Sequence, residues 1–298
     1  MNYNLLGPST LKISEIGFGC MSLGDKDDDN ARILHRAFDL GINFFDTADL
    51  YDKGMNEISV GKALKGKRGE VILASKVGNQ WRTDDGGWDW NPRKEYILSS
   101  IDKSLQRLQT DHIDLYQLHG GTIEDPIDDT IEAFELLQQQ GKIRYYGISS
   151  IRPNVIREYV KRSSIVSVMM QYSLLDRRPE ETCLELLAAA NIGVLSRGGL
   201  AQGLLVNKDP KEYLNHSQGK VKDAAAVVHS LSGQQRTATQ TSIRFVLHHP
   251  AIVSAVIGMR TMEQLEEAVN TEKSPALTNK EVELLQQSVK PNFYDLNR

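Results

Sequence analysis

INFFDTADLY, residues 42–51, opens as an apolar run interrupted at Asn43 and carries an acid, Asp46, at its end and a phenol, Tyr51, five residues on. A half-solvated strand alternates apolar and polar residues, whereas a parallel strand covered outside by helices does not. Seven further stretches have the same character: EIGFG (15–19), VILASK (71–76), HIDLYQL (112–118), RYYGIS (144–149), IVSVMMQ (165–171), IGVLSR (192–197) and IVSAVIG (252–258). They recur about once every thirty residues with amphipathic segments between them, the rhythm of βα units. Eight such runs predict an α/β fold of the (β/α)8 TIM-barrel type.

With 298 residues and no Pro/Gly/Ser-rich break, the chain suits a single barrel domain over 1–298 better than two average domains. A hydrophobic share of 40%, a charged share of 25% and a net charge of -4 are ordinary for a soluble protein and give nucleic acid no footprint. The amino terminus MNYNLLGPSTLKIS lacks a charged leader followed by an apolar stretch. Nor is there an apolar run of about 18 residues, so a cytoplasmic protein with no membrane contact is expected. Cys20 and Cys183 are far apart and lack metal-ligand spacing; they read as buried thiols, with no disulfide framework or metal site. With no obvious apolar patch in the sequence, a monomer is the default expectation.

Start signals frame several helices. Asn91 and Pro92 read as N-cap and first helical residue ahead of Ile97, Ile101, Leu105 and Leu108. Thr261 with Gln264, and Thr278 with Glu281, have capping-box spacing. Residues 2–14 form a predicted hairpin around Gly7-Pro8-Ser9, placed to plug one barrel mouth, and a helix is added late in the chain.

Barrel chemistry sits where strands end at the carboxyl mouth. Asp46, Lys76 and His119 end the second, third and fourth predicted strands, and Tyr51 lies one short loop beyond the second. Releasing a proton near neutral pH is unfavourable by about 4 kcal/mol for a phenol of ordinary pKa near 10. A buried ammonium offsets that cost, an acid beside it keeps the ammonium charged, and an imidazole orients the substrate oxygen. Each of these residues alone has an ordinary structural explanation as cap, loop packing or core imidazole. Their joint placement on three successive strand ends carries the case.

These residues resemble the aldo-keto reductase family from about Leu6 to the final helix. The D-T-A-x-x-Y motif is met by Asp46, Thr47, Ala48 and Tyr51, the S-K strand end by Ser75 and Lys76, and Y-x-L-H by Tyr116 through His119. The resemblance implies carbonyl reduction by direct hydride transfer from NADPH, without a metal. Tyr51 is then the general acid, tuned by Lys76 and Asp46, and His119 positions the carbonyl.

The cofactor segments match with departures. The family's G-x-S-N turn reads Gly147-Ile148-Ser149-Ser150, which keeps Ser149 but places Ser150 where the carboxamide-binding Asn is usual. Met169 stands at the family's Gln position, and Gln171, two residues on and on the same strand face, is not assigned its role. Residues 196–205, SRGGLAQGLL, are similar to the family's seventh-strand segment. The resemblance thereby assigns Arg197, Gly198, Leu200 and Gly203 to the cofactor, with the Arg197 guanidinium against the nicotinamide. Gly258, Arg260 and Thr261 open a helix whose start suits the 2′-phosphate, and Gln264 and Glu267 fall near the adenosine. Ala268 replaces an Asn that often contacts adenine, and no G-x-G-x-x-G follows a strand.

Trp81, Trp88 and Trp90 cluster in a polar loop after Lys76, with Trp81 a candidate for the substrate wall and self-packing the competing explanation. Residues 206–220 form another polar stretch able to fold over the cofactor. Two alternatives remain open. One makes Lys76 a Schiff-base nucleophile; the other makes the protein a nicotinamide-binding sensor or partner subunit with incidental turnover.

Overall fold

The computed structural model describes residues 1–84 and 86–298. Eight parallel strands close into a barrel: β1 (Ile16–Gly19), β2 (Phe44–Asp46), β3 (Ile72–Val77), β4 (Ile113–Leu118), β5 (Ile143–Ser149), β6 (Ser167–Gln171), β7 (Gly193–Arg197) and β8 (Ile252–Ile257). They fall on the eight predicted apolar runs, and β8 closes the ring against β1 with Val256 opposite Gly17.

Alternate residues of each strand separate into two apolar clusters, because successive side chains leave a strand on opposite faces. Phe44, Ala74, Leu115, Met169 and Leu195 pack in one, the barrel interior. Phe45, Leu73, Tyr116, Met170 and Val194 pack in the other, against the helices. Two residues further along, on the interior face, come Asp46, Lys76, Gln117, Gln171 and Arg197. The pleat that buries the lower layer therefore aims this polar set into the carboxyl mouth.

The opposite mouth is closed by the N-terminal hairpin, strands Tyr3–Leu5 and Lys12–Ser14 in antiparallel register. Leu6, Leu11 and Ile13 reach the interior cluster. Gly7 makes this approach possible. It adopts φ +55°, and a Cβ there would stand 2.3 Å from the Val166 carbonyl oxygen.

The helices are α1 (Asp27–Asp39), α2 (Met55–Leu64), α3 (Lys94–Leu108), α4 (Ile127–Gln139), α5 (Pro153–Arg162), α6 (Cys183–Ala189), α7 (Gln218–Ser230), α8 (Ala238–His248), α9 (Met262–Val269) and α10 (Asn279–Ser288). Among the described residues two helices are added to the regular alternation, the expected late one and a further one, α7. α7 is inserted before α8 and packs against the late helix α10.

Helix α3 starts at Lys94 with Arg93 as N-cap, two residues later than Asn91 and Pro92 predict. Asn91 Oδ1 instead accepts from the Arg93 N–H at 3.2 Å in a turn before the helix, while the Pro92 carbonyl accepts from the Thr130 hydroxyl at 2.7 Å. Thr278 and Glu281 form the full capping box. Thr261 forms half of one: its oxygen caps Gln264, but the Gln264 side chain turns to the Arg260 N–H. Thr237 and Gln240 form an unpredicted box at α8.

Cys20 and Cys183 are both buried. No helix among the described residues is long and apolar enough to cross a membrane. Gly7→Ala should destabilise the protein by on the order of 2 kcal/mol in chemical denaturation, since it combines a positive φ with a backbone clash; an unchanged midpoint would contradict the hairpin's close approach.

Candidate active site

The centre of the mouth is the Lys76 ammonium, which has no exposed surface. It donates to Asp46 Oδ2 at 2.6 Å, to the Thr47 carbonyl at 2.8 Å and to the Tyr51 hydroxyl at 3.3 Å. An ammonium has three hydrogens, and all three are committed. Burial opposes its charge, but Asp46 and then Tyr51 outweigh that and hold its pKa above the ordinary lysine value. An ammonium held by these three acceptors has no lone pair with which to attack a carbonyl, which argues against the Schiff-base alternative.

Asp46 is fastened on its other side by Gln117, whose Nε2 donates to Oδ1 at 3.3 Å. Sequence reasoning overlooked Gln117, although the period of two places it on the same face as His119. His119 follows β4, with its ring edge-on to Tyr51 at a centroid distance of 5.7 Å. Burial, followed by the Lys76 and Arg197 charges, pushes its pKa down to about 3. The imidazole is therefore neutral, and its Nδ1 is buried without a partner. Asp46, Tyr51, Lys76 and His119 are all brought together.

The backbone after Tyr51 is unusual. Asp52 (φ 48°), Lys53 (φ 51°) and Gly54 (φ 86°) are successively left-handed, although each non-glycine in that region costs about 1–2 kcal/mol. The turn is braced from behind: a Cβ at Gly54 would lie 2.9 Å from the Arg107 side chain. Arg107 Nε in turn donates to fully buried Glu57 at 2.6 Å, and the Ser75 hydroxyl donates to Glu57 at 2.5 Å.

To one side runs a groove of about 390 Å³ between the segments after β7 and β8. Gly198, Leu200 and Gly203 line one wall; Gly258, Arg260, Gln264 and Glu267 line the other. Gln202, Asn207 and Lys208 also line it and were missed, because nothing in a polar loop marks which of its side chains turn inward. The wall from 206 to 208 belongs to the predicted covering stretch. Thr261 lies outside this lining as the exposed N-cap of α9, beside the exposed Arg260. A groove lined by glycines, with a guanidinium at a helix start, fits a dinucleotide.

Arg197 is exposed and donates to Gln171 Oε1 at 3.0 Å, while Gln171 Nε2 donates to the Tyr213 hydroxyl at 2.9 Å. Gln171 thus reaches the mouth but is engaged at both ends. Met169 is buried in the interior cluster two residues below. Ser149 ends β5 opposite Met169 and is buried. Ser150 Oγ accepts from the Arg152 N–H at 3.2 Å, which commits it to the turn before α5.

On the other side of Tyr51 lies a cavity of about 680 Å³, lined by Tyr51, Trp81 and Trp88 among others. The tryptophan loop is a two-stranded hairpin, Asn79–Trp81 against Trp88–Trp90. Its tryptophans divide: Trp81 and Trp88 line the cavity, whereas Trp90 packs over Gly78 and Gly120 with its indole N–H on Asp125 at 3.0 Å.

The Aldo/keto reductase family model matches residues 15–290. The chain belongs to this family. It is accordingly a nicotinamide-dependent oxidoreductase acting on carbonyl or alcohol groups. It is 48% identical to the uncharacterized oxidoreductase YqkF of Bacillus subtilis (strain 168), with 100% of both chains covered. It is 33% identical to L-galactose dehydrogenase of Arabidopsis thaliana, over 89% of this chain and 86% of the relative. Among solved structures it is similar to the holo form of aldo-keto reductase AKR11C1 from Bacillus halodurans, with a TM-score of 0.94, 47% identity and coverage of 100% and 99%.

The neutral His119 has a consequence for acid stability. Between its ordinary value of 6.5 and about 3, the unfolded chain binds a proton that the folded chain refuses, so stability falls as pH falls through that window. By pH 4 the loss amounts to about 3 kcal/mol. His119→Gln should show a correspondingly shallower decline in denaturation midpoints between pH 6.5 and 4; the same slope as wild type would refute the neutral, buried imidazole.

Proposed function

We propose that this protein reduces aldehydes or ketones with NADPH, Tyr51 giving the proton. The observation that carries the proposal is the buried ammonium of Lys76, held by Asp46 and the Thr47 carbonyl within hydrogen-bond reach of the Tyr51 oxygen.

As the carbonyl oxygen gains negative charge, the Tyr51 hydroxyl donates its proton to it. The phenolate left behind stays 3.3 Å from the ammonium, an attraction of roughly 5 kcal/mol at an effective dielectric of about 20. Asp46 keeps the ammonium charged, and Gln117 keeps Asp46 in place. Neutral His119, edge-on to Tyr51, offers a ring nitrogen to orient the carbonyl without competing as an acid.

The groove beside the tetrad suits the nicotinamide dinucleotide, whose reduced ring supplies the hydride when bound. Ser149, Arg197, Gly198, Leu200 and Gly203 serve its nicotinamide end and the adjoining bridge. Gly258, Arg260, Thr261, Gln264 and Glu267 serve its adenosine end. The Arg260 guanidinium beside the α9 start favours a 2′-phosphate and hence NADPH. Arg197, as a cation near the ring, favours the neutral reduced form and so the direction of reduction. Trp81 contributes to the substrate wall.

Turnover should be assayed with NADPH over a carbonyl panel that includes an aldose, given the relative named L-galactose dehydrogenase. Tight NADPH binding with no turnover over the whole panel would overturn the reductase in favour of a nicotinamide sensor. Tyr51→Phe should lower kcat by at least about 100-fold with NADPH affinity nearly unchanged; a small loss would move the proton donor elsewhere. Arg260→Ala should weaken NADPH by roughly 10- to 100-fold and leave NADH almost untouched; equal effects on the two would refute the 2′-phosphate assignment.

A further inference from the structure

Resting on the reductase function above, we infer that Arg107 is a positioning residue for the reaction. Reaching in from α3 and acting with Glu57, it sets the separation of the Tyr51 hydroxyl and the Lys76 ammonium while lining neither cleft.

Tyr51 and Lys76 belong to different elements, the turn after β2 and the strand β3. Their side chains meet at 3.3 Å, too long a contact to fix its own geometry. A second path with shorter contacts joins the same two places outside the barrel interior. Ser75, the residue before Lys76, leaves the strand on the opposite face and donates to Glu57 Oε1 at 2.5 Å. Glu57, in the first turn of α2 and fully buried, accepts at Oε2 from Arg107 Nε at 2.6 Å. That Nε and the adjoining Cδ lie 2.9 Å from where a Cβ on Gly54 would stand, and Gly54 closes the left-handed run that begins just after Tyr51. The guanidinium is steadied from its own helix, donating to the Ser104 hydroxyl at 3.1 Å. Asn56, beside Glu57, accepts from the Thr47 hydroxyl at 2.6 Å, so the start of α2 also pins the residue whose carbonyl receives the ammonium.

Arg107 supplies the charge that lets this brace exist. Asp49, two residues before Tyr51, is a second buried acid, and its Oδ1 has no partner. Burial and then the Glu57 charge push its carboxyl well above the usual carboxylate range, while Arg107 opposes them. Without the guanidinium, Glu57 would be an unpaired buried carboxylate within electrostatic reach of another acid, and the turn that carries Tyr51 would lose its support. Because Arg107 lies outside both linings, the loss should fall on the chemical step rather than on binding.

The test is the single-turnover rate of NADPH oxidation by enzyme saturated with the carbonyl compound that wild type reduces best, together with the NADPH dissociation constant. Arg107→Ala should slow the chemical step by on the order of 30-fold and leave NADPH affinity within about twofold of wild type. The Arg107 side chain is 24% exposed, so the space left by truncation opens to water. Guanidinium chloride below denaturing concentrations should therefore raise the rate of this variant several-fold and leave wild type unmoved. Combining Arg107→Ala with Glu57→Gln removes the unpaired charge; this double variant should fold, remain slow and not respond to guanidinium. A wild-type rate in either folded variant, a loss in NADPH affinity instead of rate, or an Arg107→Ala rate that guanidinium does not change would overturn the inference. Failure of both variants to fold would make Arg107 merely structural and overturn it too. All these outcomes leave the reductase function standing; a wild-type protein that reduces no carbonyl removes that function, and the positioning role with it.

Discussion

A lysine ammonium with no access to water holds the mouth of this barrel together. Stripping such a group of water costs several kcal/mol, and removing a partner from a buried ion pair costs about 3–5 kcal/mol. Lys76 therefore dictates the position of everything that compensates it: the carboxylate ending β2, the carbonyl that follows and the phenol one turn later. Gln117 on β4 draws a third strand into the same arrangement. The polar layer at the top of the interior is thus as constrained as the apolar layer beneath it.

Around this centre the two clefts draw on different parts of the chain. The larger cavity is built from the loops after β1, β2 and β3, and the groove mainly from those after β7 and β8. Ser22 ties the two regions together, its hydroxyl meeting the carbonyls of Gly19 and Met259 at 3.0 and 3.1 Å. Tyr51 and His119 lie between them.

All eight strands were legible because a parallel strand buried on both faces must be apolar throughout, a pattern that survives without knowledge of its neighbours. The convergence of Asp46, Tyr51, Lys76 and His119 was legible because strand ends of a barrel converge, so position along the chain implies position in space. What escaped notice depends on register or on tertiary contact. The Arg197–Gln171–Tyr213 chain requires β6 to pair with β7 so that residues 171 and 197 lie side by side. The hairpin at Asn79–Trp81 and Trp88–Trp90 has strands of three residues, too short for a period to show. Helix α7, rich in alanine and weakly patterned, resembles loop until α10 gives it a surface to pack on. The early start assigned to α3 failed because Asn91 caps a turn as readily as a helix.

The left-handed run at Asp52, Lys53 and Gly54 limits how this enzyme can diversify. A connection bent against its intrinsic preference and wedged on Arg107 tolerates neither insertion nor bulk, so the Tyr51 hydroxyl is delivered to one fixed point. Variation in ligand range is therefore channelled into the tryptophan hairpin across the cavity, whose exposed outer residues Arg82 and Asp89 pair with each other. For redesign, the tyrosine loop is the fixed jaw of the vice and the hairpin the adjustable one.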